Sequence, residues 1–187
     1  MSDTDILLTL YSIVAGLGIS KLVQGLATMI KARERIRFYW VHSAWLAITL
    51  AAHVVTIFAL IRFSKSPHWT VFNSMLTLGM PLLLYLVSDL LVPAVGEDES
   101  ADLRAYFYRN RRWFYSLMIA ATLVSVAVQI ALEHAPDLSA GGPLRLVAVL
   151  ALAAGLVSER PAVQSAVVLT LLAVLVIGGT MISIKYM

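Results

Sequence analysis

Apolar residues fall into six runs along the chain, separated by short polar segments. The runs cover about residues 6–30, 39–61, 69–95, 113–132, 143–157 and 162–184. Strands of a membrane barrel are about 10 residues long and alternate apolar with polar. These runs are longer and apolar all round. In hydrocarbon each backbone N–H must find its partner within its own segment, which a helix provides, and about 20 apolar residues suffice to cross. The pattern predicts an all-α integral membrane protein: residues 1–187 form one transmembrane helical domain, a bundle of six transmembrane helices. The fifth run is short, so a re-entrant segment is the alternative to a full crossing there. Residues 103–112 are expected to lie apart, as a cytoplasmic segment at the membrane interface.

Composition narrows the class. Hydrophobic residues make up 60% of the 187, charged residues 13%, and there is no cysteine; soluble domains carry about 25% charge. A soluble enzyme, a disordered chain and a disulfide scaffold are excluded. Six helices consume most of the length, so chemistry must sit within the bundle, in short loops or in a partner. Only Asp3 and Asp5 charge the start of the chain, and the first run exceeds a signal-peptide core; it is expected to be a retained helix.

Lys and Arg set the orientation. Loops one, three and five hold Lys31, Arg33, Arg35, Arg37, Arg104, Arg109, Arg111, Arg112 and Arg160. The opposite side holds Arg62, Lys65, Arg145 and Lys185. Both termini are therefore expected to be exoplasmic, in what reads as a bacterial inner (plasma) membrane. Loop three opens with Glu97, Asp98, Glu99 and Asp102, then mixes arginines with Tyr106, Phe107, Tyr108, Trp113, Phe114 and Tyr115. Arg104, Arg109, Arg111, Arg112 and Trp113 are expected to meet lipid headgroups there, either as a binding surface or as an anchoring belt.

Charge inside a spanning helix is costly and needs a reason. Lys21 lies ten residues, roughly 15 Å, from Lys31. Its turn neighbours include Gly18, Gln24, Gly25 and Thr28, and Ser12, Gly16 and Ser20 extend a small, polar side that suits close helix approach. Asp89 falls in the same half of the bilayer and is expected to pair with Lys21, with His42 nearby. Tyr85, Ser88 and Asp89 share a face. Pro81, aided by Gly79, should loosen the third helix as a hinge. His42, Thr49, His53 and Thr56 are spaced to line one side of helix two. Thr122, Ser125 and Gln129 do so more weakly on helix four. Helices one to four should enclose this polar interior, while five and six, with Gly178 and Gly179 for one close contact, should face lipid or another chain.

The candidate residues are thus Lys21, Asp89, His42, Tyr85, His53, Gln24 and Ser88. They fit either an interior that handles a proton, an ion or a small solute, or a buried pair that only fixes helix register. The rival function is a non-catalytic scaffold, assembly or sensor subunit bound to another membrane protein. A lipid-modifying enzyme lacks a nucleophile or base, and no phosphate loop or HExxH motif is present. No cofactor, metal or nucleic acid is expected. His68 and His134 fall in exoplasmic loops, where they cannot complete a haem site with helix two. Expected partners are membrane lipids and either further copies of the chain or another membrane protein.

The chain has no cysteine, so one placed at Ser100 reports orientation directly. Impermeant maleimide should label Ser100→Cys only from the cytoplasmic side; labelling of intact cells from outside reverses the topology.

Overall fold

A computed structural model describes residues 3–63, 69–93, 100–133 and 141–185. It contains six helices: α1 (Asp3–Lys31), α2 (Trp40–Phe63), α3 (Val71–Leu91), α4 (Leu103–Glu133), α5 (Gly141–Val157) and α6 (Pro161–Lys185). Five are long and apolar enough to cross a membrane; α5, at 17 residues, is shorter. At 1.5 Å per residue α5 extends about 26 Å, just under a hydrocarbon core of about 30 Å. Leu82, Leu86, Leu150, Leu169 and Val176 lie on the outside, an apolar surface that suits lipid. His68, His134, Lys65, Glu97, Asp98 and Glu99 lie outside the described residues.

Two helix boundaries depart from the sequence expectation. The third helix ends at Leu91 rather than near residue 95, because Pro93 follows. The residue before a proline is pushed out of the helical region, and Val92 sits at φ −98°, ψ 107°. Residues 103–112 are not a separate interfacial segment. They form the first turns of α4, which runs unbroken for 31 residues. No glycine or proline interrupts it, and Asp102 caps its start: Oδ1 accepts from the backbone N–H of Arg104 at 2.9 Å and Ala105 at 3.0 Å. At about 46 Å, α4 is longer than a hydrocarbon core of about 30 Å.

Loops one and three meet at one end of the bundle. Ile36–Arg37 (β1) pairs in parallel with Ala101–Asp102 (β2), and the Ala101 N–H donates to the Arg35 carbonyl at 3.3 Å. The turn after α5 joins them through Arg111. Sequence logic put Arg111 among lipid headgroups, but it is 2% exposed. Its guanidinium donates to the carbonyls of Gly155 (2.7 Å), Leu156 (2.8 Å) and Ser158 (2.8 Å), and to Glu159 (3.0 Å). A helix C-terminus leaves four carbonyls without partners and carries partial negative charge; a planar guanidinium serves several of them at once. Gln164 of α6 donates to the Gly155 and Ser158 carbonyls and accepts from the Tyr115 hydroxyl at 2.6 Å. A Cβ on Gly155 would stand 2.4 Å from the Tyr115 ring, so glycine lets α5 lie against α4. Arg104, Arg109, Arg112 and Trp113 do remain exposed.

Helix α2 is central, touching α1, α3, α4 and α6. At the basic end its Trp45 ring meets Phe114 and Tyr115 edge-on, with centroids 4.6 and 5.5 Å apart. Helices five and six are not merely peripheral: Leu152, Val167, Val168 and Leu171 join the main core, and Gln164 is fully buried. Gly178 and Gly179 make no close contact, since a Cβ at either would meet nothing within 4 Å.

The polar line on α2 turns inward. His42, Thr49 and His53 are fully buried and Thr56 nearly so. The His53 ring lies against bare α1 backbone, where a Cβ on Gly18 would stand 2.3 Å from Cε1. Its Nε2 is 3.0 Å from the Ser88 hydroxyl of α3. Three helices thus meet at one imidazole. Gly18→Ala must push α1 off α2 or displace this ring, and overpacking of that kind costs about 1–3 kcal/mol. A lowered melting temperature in detergent is expected, with partial rescue by His53→Ala; an unchanged Gly18→Ala protein shows that the contact does not hold the bundle.

Candidate functional site

The charged site begins with α1 and α3. Gly18 brings α1 close to the inner helices, and Lys21, three residues on, emerges one turn away on the same side. Asp89 follows Ser88 on α3. Lys21 Nζ lies 2.7 Å from Asp89 Oδ1, so the pair expected from sequence forms. It is not buried inside the bundle, however: the side chains stay 37% and 52% exposed. They form part of the wall of a half-open cavity of about 790 Å³ at the basic end. The cavity lies between α1, the last turn of α3 and the first two turns of α4. Leu90, Val92 and Pro93 give it an apolar side; Asp102, Arg109 and Asn110 give it a polar one.

Tyr106 organises this wall. Its hydroxyl donates to the carbonyl of Val92, the α3 cap, at 3.2 Å. The Arg109 guanidinium sits over its ring, 5.5 Å from the centroid, a cation–π contact. Lys21, Asp89 and Arg109 all act electrostatically on its phenol. Asp102 is already committed. It caps α4 and lies 3.5 Å from Arg37. The Ala105 amide, then the Arg104 amide and the nearby Arg37 and Arg104 charges, hold its carboxyl below the usual range. A depressed carboxyl stabilises the fold above its unfolded pKa and loses that contribution as pH falls through the folded one. Acid should therefore weaken the Asp102 cap, read as a fall in melting temperature at low pH that is smaller in Asp102→Asn.

The remaining candidates separate from this cavity. His42 does not line it; its buried ring meets Tyr106 edge-on, with centroids 6.0 Å apart. Tyr85 is half-buried and within electrostatic reach of Lys21. Gln24 is exposed and donates to Ser20 of its own helix at 3.2 Å. His53 and Ser88 form a dry inner node, where the Ser88 hydroxyl donates to the Leu84 carbonyl at 2.8 Å. With its own proton given to Leu84, Ser88 accepts from His53 Nε2–H, which fixes the tautomer. Thr56 donates to the His53 carbonyl at 2.8 Å. Pro81 lies buried within α3, which continues as helix through it; at Gly79 a Cβ would meet only Val124, at 3.9 Å.

Sequence reasoning missed Tyr106 and Asn110 as site residues and gave Arg109 only to lipid. Their spacing held a signal: Tyr106, Arg109 and Asn110 are i, i+3 and i+4 on one helical face. Reading residues 103–112 as a flat interfacial segment hid that this face turns toward α1 and α3.

No protein-family model matches the chain, and no curated protein or solved structure is similar to it.

The pair is testable by a double-mutant cycle. Lys21→Ala and Asp89→Ala should each lower the melting temperature in detergent, and the double variant should recover part of the loss. Because both side chains face the cavity, raising the salt concentration should shrink this coupling. Additive losses remove the pairing energy altogether.

Proposed function

We propose that this chain is a small membrane carrier or channel of the inner membrane, handling a proton, an ion or a small solute through its polar interior. The supporting observation is the cavity that reaches the Lys21–Asp89 pair from the basic end. In this reading the basic end is cytoplasmic, following the Lys and Arg distribution. The solute enters there and meets a charged pair that can exchange partners. Beyond the pair, the Gly18–His53–Ser88 contact closes the way. Opening it requires α1 or α3 to move. Pro81, two turns before Ser88, removes one backbone hydrogen bond from α3 and is the natural hinge, with Gly79 beside it. His53 and His42 then donate or accept protons along α2.

One observation favours a second reading, a scaffold or sensor subunit. The outer face of α1 carries Ser12, Gly16, Ser20 and Gln24, all exposed. A Cβ on Gly16 would meet nothing within 4 Å. Small residues at this spacing admit another helix in lipid, either from a second copy or from another membrane protein.

Purified chain in liposomes should show pH- or ion-dependent flux, reduced at least tenfold by Asp89→Asn. Absence of flux together with stoichiometric copurification of another membrane protein transfers the assignment to the scaffold.

A further inference from the structure

The cations around the cavity differ in one respect. Of the two that line it, Lys21 has Asp89, while Arg37, outside the lining, takes Asp102. Among the described residues Arg109 has no carboxylate partner. It is nonetheless held in place: its guanidinium rests on the Tyr106 ring, and that ring is fixed by the Val92 carbonyl. Asp102 is occupied by the α4 amides. Lys21 and Arg109 stand against Asp89 and Asp102, so the described part of the wall is formally neutral, and the Arg109 guanidinium is the donor on it that no described carboxylate occupies.

We propose that Arg109, Asn110 and Lys21 form a subsite for a phosphate ester. The chemistry follows from the donors. A guanidinium offers two parallel N–H groups that match two phosphate oxygens. Asn110 adds an amide N–H₂ on the next residue, and Lys21 keeps two of its three N–H donors after bonding Asp89 Oδ1. The cavity is far larger than a bare ion needs, and its lining also includes the apolar Leu90, Val92 and Pro93. That combination suits a phosphate carrying a glycerol or acyl body. Lipid phosphates lie at the level where α4 leaves the hydrocarbon, so a phospholipid headgroup and a soluble phosphate ester share the same recognition. The proposal rests on the cavity being the ligand entrance, and not on any movement of solute through the bundle.

The test uses the full chain in detergent with two probes. Glycerol 3-phosphate is titrated calorimetrically. Retention of phosphatidylglycerol over phosphatidylcholine is read by native mass spectrometry. At least one probe should bind at one equivalent. Arg109→Gln should weaken it tenfold or more, Arg109→Lys less, and Arg33→Gln, an equal change of charge on the same end, by under twofold. Arg109 is exposed, so the melting temperature should stay within a degree or two of the parent and separate lost binding from misfolding. Phosphatidylglycerol retention without glycerol 3-phosphate binding assigns the lipid as the source; the converse assigns the solute. Binding of neither probe, or equal losses in Arg109→Gln and Arg33→Gln, overturns the subsite. Flux without phosphate binding sinks this subsite alone, whereas phosphate binding without flux sinks the transport reading alone.

Discussion

One imidazole against one bare stretch of backbone sets the geometry of this bundle. His53 occupies the point where α1, α2 and α3 converge, and it fits only because residue 18 has no side chain. The ring cannot be left unpaired in an apolar interior, since a buried polar group without a hydrogen bond is costly. Ser88 pairs its Nε2 at 3.0 Å, and Nδ1 stays without a partner among the described residues. These two contacts fix how far α1 stands from α2 and in what register α3 meets them. Lys21 is one turn from Gly18, and Asp89 is the neighbour of Ser88. The neutral inner contact therefore places the charged outer pair.

At the basic end Arg111, Gln164 and Asp102 follow the same constraint, while Tyr39, His42, Trp45 and Tyr108 keep buried polar atoms without a partner among the described residues. Arg111 would be intolerable in the core without acceptors, and the end of α5 supplies carbonyls that would otherwise be orphaned. The terminal guanidinium nitrogens and these carbonyls meet each other's needs, only Nε of Arg111 staying unpaired among the described residues, and Tyr115 and Gln164 complete the arrangement. Asp102 likewise satisfies the first amides of α4. Once Asp102, Arg37 and Arg111 are committed to such structural duties, the cavity is left with Lys21, Asp89 and Arg109.

The division into an open charged cavity and a closed inner node carries mechanistic content. The charged Lys21–Asp89 pair is part-exposed, and the neutral His53–Ser88 contact is fully buried. A solute or proton passing inward would have to exchange the first environment for the second. The coupling element in that case is α3, which contributes both Ser88 and Asp89 and contains Pro81. A tilt of its last two turns would move both residues together. The ion pair and the histidine contact would then respond to the same motion.

The sequence by itself determined the class, the number of helices and the short list of costly residues. It could do so because lipid forbids unpaired backbone and penalises charge, and both rules read directly from the order of residues. The Lys21–Asp89 pair was legible for that reason: two opposite charges at one depth have few alternatives. The end of α3 was misread, because the apolar run continues past Pro93 to about residue 95 whereas the helix stops at Leu91. Tertiary structure decided the rest. Arg111 and Arg109 are two residues apart in a run of similar composition, yet one is buried against α5 and the other rests on Tyr106 beside a cavity. Helical rotation of about 100° per residue sends neighbours to different surroundings, and only the packing of α4 against α1, α3 and α5 specifies what those surroundings are.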